Sequence, residues 1–189
     1  MEFDREKVVE AVEMLLEGIG EDVNRPGLEE TPQRVARMYE EVLCGIGQDA
    51  TEIVKSFKSE NYDEMVLVKD IPFYSLCEHH LLPFLGKAHV AYIPSGDRIT
   101  GISKLARVVE VHARRLQVQE RMTAEIADGL VRALNPKGVL VVVEAEHLCM
   151  TMRGVQKPGS RTVTSVVRGL FRENPATRSE AMSLVHSCE

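Results

Sequence analysis

Val139-Leu140-Val141-Val142-Val143-Glu144-Ala145 is a nearly continuous apolar run, bounded upstream by the breaker Asn135-Pro136-Lys137-Gly138. Such a run reads as a strand covered on both faces. Before it, a helical pattern from about Gln119 to Leu134 turns Ile126, Ala127, Leu130, Val131 and Leu134 inward. A further helix runs from Ser103, its natural N-cap, to about Leu116, with Leu105, Val108, Val109, His112 and Leu116 on one face. Two strands come earlier. Met65 to Ile71 is rich in β-branched residues and closes at Pro72, and Gly86 to Ile93 ends in the turn Pro94-Ser95-Gly96-Asp97. Downstream, Arg161 to Val167 alternates polar and apolar, a strand with one wetter face, and a last helix occupies roughly Ala176 to Val185. The order β-β-α-α-β-β predicts an α+β unit, with helices on one face of a mostly antiparallel sheet.

The N-terminal part is helical. Asp4 caps a helix whose Val8, Val9, Val12, Leu15, Leu16 and Ile19 share a face, and Gly20 ends it. Thr31-Pro32 supplies an N-cap and a first-turn proline for a second helix, striped by Val35, Met38, Tyr39, Val42 and Leu43 and stopped at Gly45. The polar stretch to about Asp63 holds another short helix. This divides the chain into a helical region, 1–63, and a second unit, 64–189.

The 189 residues carry a net charge of −6, with 44% hydrophobic and 28% charged residues. That is ordinary globular composition. An acidic chain is a poor default for a nucleic-acid binder, although local arginine clusters can still focus positive potential on a small anion. No apolar run approaches bilayer length, so no membrane partner is expected. The charged start Met1-Glu2-Phe3-Asp4-Arg5-Glu6-Lys7 reads as the opening of a helix rather than a signal peptide, which places the protein in the cytoplasm. In that compartment the four cysteines are not a disulfide framework.

The strongest chemical signal is Cys77-Glu78-His79-His80, in a loop closed by Pro83. In a tight turn this spacing puts Cys77 and His80 on one side, and zinc accepts both thiolate and imidazole. A second short pair, His147 and Cys149 in Glu146-His147-Leu148-Cys149, follows the apolar strand and shares a face if the chain stays extended. Cys77, His80 and Cys149 could form an open three-ligand zinc site, leaving His79 and His147 as acid/base groups. Zinc held there would lower the pKa of bound water toward about 7. Spacing alone leaves two unrelated polar clusters as an equal alternative.

Anion binding is the next signal. Gly101-Ile102-Ser103-Lys104 precedes a helix whose free amides attract phosphate, and Lys104 and Arg107 share a face. Arg34 and Arg37 repeat that spacing at the start of the second helix, against the helix dipole. Arg153 is a further candidate clamp. Lys104 and Arg107, each taken singly, read better as residues of a solvated helix surface, and many surface helices tolerate arginines placed like Arg34 and Arg37. Gln119-Glu120 could read a guanine edge, or be an acidic first helical turn. His89 and His112 read as structural, and His186, Cys44 and Cys188 carry no constellation.

Taken together these residues resemble the GTP cyclohydrolase I family. The matches are Arg25-Pro26-Gly27-Leu28 with Thr31-Pro32-Gln33-Arg34-Val35-Ala36, then Cys77-Glu78-His79-His80 and Gly101-Ile102-Ser103-Lys104. They continue with Gln117-Val118-Gln119-Glu120-Arg121 and Thr123, His147 with Cys149, Thr162-Val163-Thr164-Ser165 and Gly169-Leu170-Phe171. The resemblance implies catalytic Zn2+ on Cys77, His80 and Cys149. It implies that His147 protonates the purine N7 and that His79 assists near the ribose and ring-opening steps. Ser103, Lys104, Arg107, Arg153, Arg34 and Arg37 would hold the triphosphate of GTP, and Gln119 and Glu120 would anchor the guanine. Arg37 stands where the family often has Lys, which keeps the charge but changes its geometry. The implied reaction opens the imidazole ring, releases formate and closes the product as 7,8-dihydroneopterin triphosphate, the first step of pterin and folate biosynthesis. The tunnelling fold is implied too, with a homodecamer of two pentamers and active sites between subunits.

Two rival readings remain at this level. A nucleotide deaminase would carry Cys-x-x-Cys, which this chain lacks. A zinc-stabilised binding module would need a fourth protein ligand, His79 or His147. If zinc is stripped under oxidising conditions, Cys77 and Cys149 could pair as a disulfide, since both should face one metal.

Overall fold

The computed structural model describes residues 3–58, 62–96 and 98–187. Asp97 of the expected turn and Cys188 lie outside the described residues. Along the chain the elements are α1 (Arg5–Gly18), α2 (Thr31–Val42), α3 (Ala50–Ile53), β1 (Ser56–Lys58), β2 (Val66–Cys77), β3 (Pro83–Ile93), β4 (Arg98–Thr100) and α4 (Ile102–Ala113). They continue as β5 (Leu116–Gln117), α5 (Gln119–Leu134), β6 (Gly138–His147), α6 (Leu148–Thr151), β7 (Thr162–Gly169), α7 (Leu170–Glu173) and α8 (Pro175–His186). Five strands form one sheet in the order β5-β2-β3-β6-β7, antiparallel except for the β2–β5 pair. This is the expected α+β plan with its mostly antiparallel sheet. A separate ribbon, β1 with β4, was not legible in the sequence.

Residues alternate across each strand, so β6 turns Val139, Val141, Val143 and Ala145 to one face and Leu140 and Val142 to the other. The first set packs with Leu105, Val108 and Val109 of α4 and Met122, Ile126 and Leu130 of α5. The second set packs with Phe171 of α7 and Ala181 of α8. Helices therefore cover both faces of β6, not one face of the sheet as expected, and this is why its run is apolar throughout.

Strand β2 runs on through Pro72, past the end read at Ile71. The proline is tolerated because β5 pairs only with Leu76 and Cys77, which leaves Pro72 on a free edge. The pairing with β3 slips by one residue between Val68 and Ile71, where Asp70 has φ 58°. The Asp70 N–H left over by this bulge donates to His89 Nδ1 at 3.2 Å. His89 is thus structural, as its strand position suggests.

Other boundaries moved for local reasons. Asp4 does cap α1, its Oδ1 accepting the Lys7 N–H at 3.0 Å. Thr31 is the first helical residue of α2 rather than its cap, and Gly101, not Ser103, precedes α4. Helix α4 stops at Ala113, because Leu116 is drawn into β5. Gly45 lies beyond the end of α2, where it permits close approach to α4: a Cβ there would sit 2.2 Å from Val111 O. The apolar stripe of α1 is only partly used, with Val12 buried while Leu15 and Ile19 are 61% and 67% exposed.

His112 is buried between α4 and α5, with Nδ1 3.4 Å from Glu125 Oε2. Burial and then Arg115 push its pKa down against the pull of Glu125, and burial also lowers that of His89. The unfolded chain therefore binds protons that the folded chain resists. Stability should be full above the ordinary value of 6.5 and be lost as pH falls through the lowered folded values. Thermal melts are expected to show a falling Tm between about pH 7 and pH 5, and a shallower slope in His112→Leu. An identical slope in that variant would contradict the assignment.

Candidate metal centre

Because β3 is antiparallel to both β2 and β6, the C-terminal ends of β2 and β6 flank the start of β3. A tight turn follows β2. Cys77 N–H donates to Leu82 O at 2.9 Å, while His80 and Leu81 N–H both return to Cys77 O, at 3.3 and 2.8 Å. Leu81 accepts φ 55° to close it. This turn puts the Cys77 Sγ 4.0 Å from His80 Nδ1. On the other side, β6 ends at His147, and Cys149 lies in the single turn α6 rather than in extended chain. The two side chains line one cleft without the extended alignment expected of them.

Cys77, His80 and Cys149 bring one donor atom each to within 4.8 Å of one another. Tetrahedral zinc has Zn–S near 2.3 Å and Zn–N near 2.0–2.1 Å, so its ligand atoms lie about 3.6–3.8 Å apart. The cluster fits that with a small contraction. Burial, and next the neighbouring Cys77 sulfur, push the Cys149 thiol up from its ordinary value. A thiol that resists ionisation by itself, as Cys149 does, is a donor whose cost a bound cation reverses. Among the described residues this is the one such group of His, Cys, Asp and Glu donors.

His147 takes a different part. Its ring stacks on Phe84, with centroids 4.6 Å apart and planes 2° from parallel. Its Nε2–H donates to Gln119 Oε1 at 2.7 Å. Gln119 is 1% exposed, and its Nε2 faces Val143 O and Thr162 O at 3.0 Å each and Thr164 Oγ1 at 3.1 Å. An amide nitrogen must face those carbonyls, so the amide oxygen must face His147, and the imidazole proton sits on Nε2. Burial pushes the His147 pKa down, against a weaker pull from Glu120. Phe84 and this Gln119 arrangement were missed in the sequence. Phe84 faces His147 only through the β3–β6 register, which no local pattern announces.

Cys77, His79, Gln117, Gln119, Glu120, His147 and Cys149 share one cleft of about 210 Å³. His79 is exposed, with Nε2 3.9 Å from Glu78 Oε1. Arg153 donates to His80 Nε2 at 3.0 Å, beside the metal donors. The Gln119 carboxamide is spent on protein partners, whereas the Glu120 side chain is exposed at the cleft. Lys104 and Arg107 line another cleft, of about 400 Å³, with Gln48, Glu52 and Lys55. Ser103 is exposed at the start of α4, and Arg34 and Arg37 are exposed on α2, where Arg34 pairs with Glu30 at 2.6 Å. One chain therefore sets Lys104 and Arg107 in a different cleft from Cys77 and Cys149, while Arg153 stands beside the metal donors.

Fold and cluster together describe an α+β protein with a three-donor metal-type centre at one end of its sheet. The sequence profile of GTP cyclohydrolase I matches residues 8–186, and the chain belongs to that family of enzymes. It is 64% identical over 182 residues to a GTP cyclohydrolase 1 of Carboxydothermus hydrogenoformans, covering 96% of this chain and 95% of that one. It is 63% identical to a GTP cyclohydrolase 1 of Pelotomaculum thermopropionicum, covering 97% of each. It is 62% identical to one of Halalkalibacterium halodurans, covering 96% of this chain and 97% of that one. The β-β-α-α-β-β unit is the tunnelling fold expected of the family.

The Gln119 amide should matter twice. Gln119→Ala removes the donor to Val143 O and Thr162 O and frees the His147 ring. Chemical denaturation is expected to show a loss of about 1–3 kcal/mol. Turnover should fall by more than the Michaelis constant rises. Unchanged turnover would mean that the ring needs no support.

Proposed function

We propose that the chain converts GTP to 7,8-dihydroneopterin triphosphate and releases formate, using zinc held by Cys77, His80 and Cys149. The convergence of these three donors beside His147 carries the reading. Three protein ligands leave zinc an open position, as in catalytic sites, rather than the four-ligand closure of structural ones. Zinc, when bound, supplies Lewis acidity and generates a nucleophile from water near neutral pH. His147, held at Nε2 by Gln119, protonates the purine N7 from Nδ1 when the ring carries a second proton there, and returns to the neutral Nε2–H form. His79, exposed on the same cleft, serves the later proton transfers near the ribose. Glu120 accepts from the donor edge of guanine, with Gln119 acting behind it.

The triphosphate is held by Ser103, Lys104, Arg107, Arg34, Arg37 and Arg153, and fixing it restrains the substrate far from the reacting carbon. Lys104 and Arg107 line a different cleft from the metal donors, so one substrate reaches both sets most simply where two subunits meet. This supports a homo-oligomer with active sites between subunits, a decamer of two pentamers on the family pattern. The exposed Leu15 and Ile19 of α1 fit such burial. On this reading residues 1–63 form a helical region and 64–189 the catalytic unit. Among the described residues no helix is long and apolar enough to cross a membrane. That is compatible with the cytoplasmic location we propose.

The test is to incubate the zinc-loaded protein with GTP and to separate the products by chromatography. Formate and pterin in equal amounts are expected. Formate with a ring-opened pyrimidine but no pterin would contradict the complete reaction. His147→Ala should keep one zinc per chain and lose at least about 100-fold in turnover. Loss of the metal in that variant would instead make His147 a ligand.

A further inference from the structure

Glu78 sits inside the Cys77–His80 turn, yet nothing in the reaction above uses it. Its N–H donates to Gln117 O at 3.0 Å, and its carboxylate pairs with the Arg121 guanidinium. Arg121 also donates from Nε to Gln117 Oε1 and from Nη2 to Leu116 O, each at 3.1 Å. Gln117 is 1% exposed, and its Nε2 in turn donates to His112 O at 3.0 Å and Glu125 Oε2 at 2.9 Å. Those bonds fix which end of the Gln117 amide faces Arg121. The guanidinium is therefore gripped from β5 at two points before it meets Glu78. Strand β5 itself pairs with β2 at Leu76 and Cys77.

We propose that Arg121 is a positioning residue for the metal centre. It clamps Glu78 so that Cys77 and His80 are presented to zinc in binding geometry before the ion arrives. This rests on the reading of Cys77, His80 and Cys149 as zinc ligands. The two donors are separated by only Glu78 and His79, so a shift of Glu78 moves both. The side chains of Arg121 and Glu78 are 42% and 32% exposed. A pair that open to water contributes little to folding. Its effect falls instead on how well the turn is organised. Groups that orient metal ligands from outside the ligand set typically change affinity by about 10–100-fold.

Zinc affinity of the full chain would be measured by competition with a chromophoric chelator for the wild type, Arg121→Ala, Glu78→Gln and the double variant. Cobalt-substituted spectra and melts of the metal-free forms would accompany it. Each single variant should bind zinc about 10–100-fold more weakly, and the double variant no more weakly than either single. The cobalt bands should shift, while the metal-free melting temperature stays near that of the wild type. Single variants that bind zinc within about twofold of the wild type, with unchanged cobalt spectra, would overturn the proposal. Glu78→Gln removes the charge at almost constant volume, so it carries the test if Arg121→Ala fails to fold. A wild type that takes up no zinc would overturn the ligand reading itself, and the clamp with it.

Discussion

The site depends on one topological constraint: β3 runs antiparallel to both of its neighbours. Strands in a sheet lie about 4.8 Å apart, so the ends of β2 and β6 are about 10 Å apart with the start of β3 between them. Neither end alone carries enough donors for a metal. A turn after β2 and a single helical turn after β6 reach toward each other across that gap. Phe84, at the start of β3, fills the floor and gives His147 a flat surface to lie on. The parallel pairing of β5 with β2 then delivers Gln117, Gln119 and Glu120 to the same end of the sheet.

Two buried carboxamides organise what collects there. Gln119 spends its nitrogen on β6 and β7 and offers its oxygen to His147. Gln117 spends its nitrogen on α4 and α5 and offers its oxygen to Arg121. A buried amide is costly unless every group is met, and a fully met one has a single orientation. Each glutamine thereby turns the rigidity of the helix–sheet core into the orientation of one side chain at the cleft. The ionisable groups follow the same logic. Burial holds His147 toward its neutral form, and burial, with the neighbouring Cys77 sulfur next, holds Cys149 toward its thiol.

Elements with their own periodicity were legible in the sequence. Helix α5 and strand β6 announce themselves through inward-facing Ile126, Leu130 and Leu134 and through the run from Val139 to Ala145. The Cys-x-x-His turn was legible because its spacing acts within one turn. What depends on pairing at a distance was not. Strand β5 has two residues and exists only by its register with β2, which also shortened α4. The contact of Phe84 with His147 needs the β3–β6 register, and the clamp on Glu78 needs β5. Gln119 could be placed at the site from its sequence motif, but not its orientation, because that is set by carbonyls on β6 and β7. The helical turn at Cys149 is likewise not announced by any feature of Glu146-His147-Leu148-Cys149 itself.

The central claim is that two strand ends build an open three-ligand centre from Cys77, His80 and Cys149. X-ray absorption at the zinc edge of the loaded protein addresses it directly. The account predicts two sulfur scatterers near 2.3 Å, one imidazole, and one light atom in the remaining position. A second imidazole in the first coordination sphere, or a shell without two sulfurs, would contradict it.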